Sequence, residues 1–279
     1  MQKIIITGAS GFIGQSISNT LIKDKESRTL LISKSQTIKP YIHIEKFDDV
    51  PSGDVLIHLA ETSNRNIVNN LGNNYIKETG DAIEKLLKKN YKKVIYFSSS
   101  SVYGNLGNKP FKENDKVLKS DIYNTSKLIN ERKILEYGGI VVRVSNVIGP
   151  KMSANNVLSE IISQIKIGNK IIVKNNKPII DFLWHQDLAN AIAKLINSNI
   201  TGPNIFNIGT GIGTSINEIA KEASHSAGKN IEITSLERNS LPSYNVVNIS
   251  KISKLINWSP LFKITEIIGE MIKKWKKES

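Results

Sequence analysis

Short apolar runs rich in β-branched residues alternate with longer stretches of helical period through the first 150 residues. The runs are Lys3 to Thr7, Thr29 to Ser33, Ile42 to Lys46, Val55 to Ala60, Lys93 to Ser98 and Ile140 to Val144. This is the pattern of parallel strands joined by crossover helices. Ile13, Ile17 and Leu21 recur at helical spacing after the first run, and helices are predicted over Tyr75 to Lys89 and Ile122 to Tyr137. The latter stops at Gly138 and Gly139, a helix-ending signal. Beyond Gly149 and Pro150 the order changes. Helices near Val157 to Ile167 and His185 to Asn197 are mixed with short strands, as in an added lobe, and Ile264, Ile267, Ile268, Met271, Ile272 and Trp275 form the core-packing stripe of a last helix.

The expected architecture is α/β: a doubly wound parallel sheet of Rossmann type with a smaller C-terminal substrate lobe. Residues 1–150 form the dinucleotide-binding domain, rejoined by part of 181–210, and residues 151–279 are mainly the lobe. There is no internal repeat or long linker.

Composition narrows the chemistry. The 279 residues include no cysteine, which excludes disulfides, thiolate metal sites and cysteine nucleophiles. His43, His58, His185 and His225 show no metal-ligand spacing, so no metal is expected, and His58 reads as a satisfied core residue. No apolar run approaches the ~20 residues of a membrane helix. Neither export nor a membrane association is expected, and the cytoplasm is the expected compartment. The net charge of +13 is spread along the chain rather than gathered into a patch interleaved with aromatics, so an anionic small substrate accounts for it without a nucleic-acid partner. Lys273, Lys274, Lys276 and Lys277 read as a solvated helix face.

Thr7-Gly8-Ala9-Ser10-Gly11-Phe12-Ile13-Gly14 falls between the first strand and the first helix, where a dinucleotide fingerprint has to lie. Gly8 makes the tight turn, Gly11 admits the pyrophosphate and Gly14 allows close helix packing. The helix N-terminus then offers free N–H groups to the phosphates. The cofactor positions here are Gly8, Ser10, Gly11, Phe12, Ile13 and Gly14. Such sites usually carry an acid at the end of the second strand for the ribose hydroxyls, whereas this strand ends Ile32-Ser33-Lys34-Ser35. Ser33 and Lys34 therefore favour a 2′-phosphate and NADP(H), with NAD(H) left open. Asp48, after the third strand, is a position that could face the adenine.

Tyr123 and Lys127 are four apart on one helix face. An adjacent ammonium stabilises a phenolate, which equips Tyr123 for acid/base work. Ser98 to Ser101 lie at the carboxyl end of the fifth strand, the edge where ligands bind in such sheets. With these residues the chain resembles the extended short-chain dehydrogenase/reductases, specifically the nucleotide-sugar epimerase/dehydratase family, over nearly its full length. The matching segments are TGASGFIG from Thr7, VLIHLAE from Val55, FSSSSVYG from Phe97, YNTSK from Tyr123 and VVRVSNVIGP from Val141. IDFLWHQDLANAI from Ile180, FNIGTG from Phe206 and INWSP from Ile256 follow.

The resemblance implies that Tyr123 is the general acid/base, that Lys127 tunes it and holds the nicotinamide ribose, and that Ser99 bonds the reacting sugar oxygen. It adds Leu59 and Ala60 to the cofactor positions, Ser100 and Asn146 to the substrate positions, and Arg238 as a diphosphate ligand. It also implies a homodimer formed through the two helices around Tyr75 to Lys89 and Ile122 to Tyr137. Ile180 stands where the family usually has Arg, and Glu61 replaces a small residue after the fourth strand. Ser100 and Ser101 occupy the positions of the Asp-Glu pair with which family dehydratases eliminate water.

The leading expectation is NADPH-dependent reduction of a 4-keto sugar nucleotide. The alternative is an NAD-dependent nucleotide-sugar 4-epimerase. A noncatalytic dinucleotide-sensing protein on the same fold is the third reading, and the retained Tyr123 and Lys127 speak against it.

Overall fold

Ile4, Ile5 and Ile6 of the first strand, β1 (Gln2–Thr7), are all buried, so this strand has protein on both faces. Ile4 and Ile6 point into one apolar layer and Ile5 into another, as the two-residue period of a strand requires. Around it the chain builds β2 (Ser27–Ser33), β3 (Tyr41–His43), β4 (Val55–His58), β5 (Lys93–Ser99), β6 (Ile140–Val144) and β10 (Asn204–Ile208). These seven strands form one parallel sheet in the order β10-β6-β5-β4-β1-β2-β3. The order reverses between β1 and β4, and the crevice above that point is where open α/β sheets take their ligands. The computed structural model describes residues 1–105, 107–237 and 242–278.

Helix α1 (Phe12–Leu21) and helix α6 (His185–Asn197) cover one face through Ile17, Leu21, Leu188, Ile192 and Leu195. On the other face lie α3 (Asn73–Leu87) and α4 (Ile122–Glu136), with Ile83, Leu86 and Ile134 in the core. A short α2 (Arg65–Leu71) precedes α3. The Asp121 carboxylate caps α4 by accepting from the Asn124 N–H at 2.8 Å. Lys93 ties the sheet to α6, its Nζ donating to the carbonyls of Leu195, Ile196 and Ser198 at 2.7–3.1 Å.

In the second lobe β9 (Ile179–Trp184) pairs with β7 (Asn146–Ile148), β11 (Gly213–Ser215) and β13 (Tyr244–Asn245). β8 (Lys170–Val173) pairs with β12 (Glu232–Ser235). Helices α5 (Val157–Ile167), α7 (Ile216–Ala227) and α9 (Ile264–Glu278) enclose a separate core of Leu158, Ile161, Ile219, Ala223, Ile268 and Ile272. Helix α8 (Ser250–Ile256) returns to the first core through Ile252 and Ile256.

Two strands end earlier than predicted. β3 ends at His43 rather than Lys46: the Ile44 N–H still bonds Ser33 O, but Phe47 to Asp49 then turn as a 3₁₀ helix. β4 ends at His58 rather than Ala60, because Leu59 and Glu61 enter a turn in which the Glu61 N–H bonds Leu59 O. Among the described residues no helix is long and apolar enough to cross a membrane, and no cluster of three His, Asp or Glu side chains could hold a metal.

Candidate active site

Gly8 sits at φ +73°, the left-handed region that suits glycine. A side chain there would strike the backbone of Leu59 and Ala60, at 2.7 and 2.8 Å from its Cβ. A Cβ on Gly14 would lie 2.2 Å from Gly8 O. The glycine turn is therefore pressed between the end of β4 and the start of α1. The N-cap of α1, Gly11, has no side-chain acceptor to offer, and the first turn carries no acid. Its N–H groups and positive dipole end are left for an external anion. A pyrophosphate fits this cradle.

Beside it, Ser10 Oγ lies 2.8 Å from Ser33 Oγ, and Ser33 Oγ accepts the N–H groups of Ser35 and Gln36. The end of β2 is a knot of serine hydroxyls, with two N–H groups bonded into it and no carboxylate. Lys34 stands here with its ammonium 4.7 Å from the Phe47 ring centre. Asp48 turns to α3, where it pairs with Lys85 at 2.7 Å, and that hydrogen bond and charge hold its carboxyl below the usual range.

At the carboxyl end of β5 the serines turn into a 3₁₀ helix, and their hydroxyls form a chain. Ser99 Oγ donates to Ser101 Oγ at 3.0 Å, and Ser101 Oγ donates to Asn124 Oδ1 at 2.7 Å. Ser100 is buried and donates to Asn245 Oδ1 of β13 at 2.6 Å. Asn124, on α4 next to Tyr123, also donates to Ser101 O at 3.0 Å. The turn is thus fastened both to α4 and to the second lobe.

Tyr123 packs with Val68 and Tyr75. The Arg65 guanidinium lies 5.4 Å from its ring centre and pairs with Asp121 at 2.7 Å. Lys127 Nζ is 5.8 Å from the same ring centre. This ammonium donates to Phe97 O at 2.8 Å and to Glu61 Oε2 at 2.7 Å. Burial alone would push Lys127 down, but Glu61, with Tyr123 and further hydrogen bonding, raises it above its ordinary value. Glu61 is the converse: burial, the largest influence, pushes it up, but the charge of Lys127 together with the surrounding charge and hydrogen bonds from Lys127 and Tyr96 brings it below its ordinary value and leaves it a carboxylate. Tyr96 Oη and Asn130 Nδ2 also donate to Glu61, at 3.0 Å each. His58 lies below, its Nδ1 sharing a hydrogen bond with Thr7 Oγ1 at 2.7 Å. Its Nε2 has no hydrogen-bond partner, 3.9 Å from Glu61, so this core histidine is only half satisfied. Burial first, opposed by Glu61, brings it down to about 4, so it is neutral at pH 7.

Behind the serine turn, Glu131 and Arg143 form a buried pair at 2.6 Å, and Ser98 Oγ donates to Glu131 at 2.5 Å. Arg143 reaches on to Tyr103 Oη at 3.0 Å, and Tyr103 donates to Asn207 Oδ1 at 2.7 Å. Asp181, in the segment where Ile180 was noted, accepts from the Thr210 N–H, the Thr210 hydroxyl and the Gly211 N–H at 2.7–3.0 Å.

The model of one family, described as the NAD dependent epimerase/dehydratase family, matches residues 4–209. The chain belongs to that family. As a member of this NAD(P)-dependent epimerase/dehydratase family it is an extended short-chain dehydrogenase/reductase enzyme. A putative UDP-glucose 4-epimerase of Methanocaldococcus jannaschii is 27% identical, with 99% of both chains covered. Two solved structures share the fold. RMD from Pseudomonas aeruginosa, complexed with NADPH, is 21% identical with a TM-score of 0.88, and all of both chains is covered. The UDP-glucuronic acid 4-epimerase of Bacillus cereus, a variant solved with NAD and UDP-4-deoxy-4-fluoro-glucuronic acid, is 20% identical with a TM-score of 0.86, covering 99% of this chain and 100% of that one.

Of the residues implied for this epimerase/dehydratase site, Asn146 starts β7 and accepts from Asn156 Nδ2 at 3.1 Å. Arg238 lies outside the described residues. Sequence reading passed over Asn124, Asn245 and Arg65. It noticed Glu61 as a departure without finding its partner.

Proposed function

We propose that this enzyme acts by a redox change at C4 of a nucleotide-linked hexose, and that 4-epimerisation is its reaction. The observation that carries the reading is the placement of Ser99, Tyr123 and Lys127 around the carboxyl end of β5, with Ser100 and Ser101 where an eliminating pair of acids would stand. The full-length likeness to a putative 4-epimerase adds to it.

The glycine turn and α1 hold the pyrophosphate, while Leu59 and Ala60 line the nicotinamide half of the crevice. When bound, the nicotinamide takes up or supplies the hydride at C4. Tyr123 accepts the C4 hydroxyl proton as that carbon becomes a ketone and returns it when the alcohol reforms. Ser99 orients the oxygen, which requires its hydroxyl to exchange its bond to Ser101 for one to substrate. Lys127 presents its charge to the phenol and an N–H to the ribose. Asn146 and Arg238 are proposed for the sugar nucleotide.

A second reading, NADPH-dependent reduction of a 4-keto sugar nucleotide, is favoured by the serine cluster and Lys34 at the end of β2. NADP(H) is the cofactor it prefers. One experiment separates the two: purified protein is incubated with hexose nucleotides and their 4-keto forms while cofactor absorbance and product configuration are followed together. An epimerase inverts C4 with no net cofactor turnover, and a reductase consumes NADPH mole for mole. Absence of both refutes the proposal. The α3 and α4 pair, with exposed Ile67 and Leu71 on α2 and partly exposed Ile76, Ile122 and Ile129, is the proposed homodimer surface, and light scattering measures that state.

A further inference from the structure

Glu61 is the feature of the site that the family pattern leaves unexplained. It is buried, its side chain 4% exposed against 9% for Lys127. Among the described residues, every group on its carboxylate comes from inside the site: Lys127 and Asn130 from α4, Tyr96 from β5, and the unpaired Nε2 of His58 from β4. A carboxylate this deeply placed is costly unless it is paired and hydrogen-bonded, and all its partners are residues on the catalytic side of α4 or the strands beneath.

We propose that Glu61 is the positioning residue for Lys127, holding the ammonium charged and fixed against β5 so that a single N–H remains for a ribose hydroxyl of the cofactor. The count is geometric. An ammonium has three N–H donors; two go to Glu61 Oε2 and Phe97 O, and the third has no acceptor among the described residues. The proposal rests on the reading of the crevice as a nicotinamide dinucleotide site, and it concerns how Lys127 is prepared before that ligand arrives.

The groups facing Lys127 decide what happens without Glu61. Tyr96 of β5 lies with its ring centre 5.2 Å from Nζ, and Tyr123 and Glu131 share its helix. His58 of β4 is neutral. Tyr75 of α3, pushed up by burial and then by Glu61 and Tyr123, stays a neutral phenol, and Arg65 of α2 faces Tyr123. Glu131 is committed to Arg143. Glu61 is therefore the one carboxylate bonded to this ammonium among the described residues, and in its absence burial dominates and drives Lys127 to release its proton at lower pH.

The test uses Glu61→Gln, which preserves size and an acceptor, with Glu61→Asp as the conservative rescue. Two measurements run from pH 7 to 9. The first is the dissociation constant for NADH and NADPH, read by fluorescence. In the native enzyme it is flat, since Lys127 stays charged past its ordinary value. In Glu61→Gln it weakens by a further ~10-fold or more across the range as the lysine loses its charge. The second is the melting temperature without cofactor. Here the sign is opposite: the unfolded chain of the variant binds more protons than the folded one, so the variant's deficit shrinks as pH rises. Glu61→Asp restores the flat binding profile, and the double variant Glu61→Gln with Lys127→Met abolishes both pH trends.

A deficit in binding and melting that is the same at every pH would show Glu61 to be structural filling and overturn the proposal. Native protein that binds neither cofactor would overturn the dinucleotide reading instead. The melting trend would then still decide whether Glu61 holds the charge on Lys127.

Discussion

The side-chain amide of Asn245, in the second lobe, grips both ends of Ser100: it accepts from Oγ at 2.6 Å and donates to the carbonyl at 3.1 Å. It also donates to Gly104 O at 3.0 Å. The serine turn, and with it Ser99, is therefore registered against β13.

Asn245→Ala is expected to lower turnover about 10- to 100-fold while leaving cofactor affinity unchanged, since a displacement near 1 Å of a positioned group costs on that order. Steady-state rates with a parallel cofactor titration measure this. A loss of cofactor binding equal to the loss of turnover would mean that the turn does not act on the substrate alone.

Tyr123→Phe is expected to keep cofactor binding and lower turnover by about 100-fold or more, the usual scale for removal of a positioned acid/base. Near-native turnover by folded protein would take Tyr123 out of the mechanism.

Lys34→Ala is expected to weaken NADP(H) more than NAD(H), because Ser10, Ser33 and Ser35 supply hydroxyls there but Lys34 supplies the charge that a 2′-phosphate needs. Titration of both cofactors reads the difference, and equal losses would leave Lys34 as a partner of the Phe47 ring alone.

Glu131→Ala is expected to cost about 3–5 kcal/mol of folding stability, because it strands the buried Arg143 guanidinium. Both side chains are at most 5% exposed. Urea unfolding gives the value, and a loss below about 1 kcal/mol, the range of exposed pairs, would show that water reaches the pair.

No 4,6-dehydration is expected, although its first step would use the same Ser99, Tyr123 and Lys127. Elimination needs an acid and a base where Ser100 and Ser101 stand, and both hydroxyls are already engaged, with Asn245 and Asn124. Mass spectrometry for loss of water from hexose nucleotides checks this. A 4-keto-6-deoxy product formed at catalytic rates would contradict it.

The parts legible in the sequence were those set by local spacing. The glycines between a strand and a helix, the Tyr-Lys pair on one helix face and the apolar runs of the parallel sheet all need only a short window. β7, β11 and β13, two or three residues each, are too short for any period and exist because β9 gives them an edge. The partners of Glu61 and Ser100 were invisible for a different reason: Lys127 is 66 residues from Glu61 and Asn245 is 145 from Ser100, and nothing in a run of serines announces an amide so far away. The third strand was overextended because Ile44 is buried like a strand residue while the backbone after it turns.

The path of the chain between its two cores bears on how the crevice can work. It leaves the sheet after β6 for β7 to β9, returns as α6 and β10, leaves again for β11 to β13, returns as α8, and ends on the far side as α9. A clamshell enzyme swings on one or two strands of linker. Here every crossing would have to bend in concert, so the two lobes share no single hinge. Entry and exit of the proposed sugar nucleotide would then fall to the loops along the rim of the crevice, and ligands would be sorted by shape rather than by how far the lobes can close.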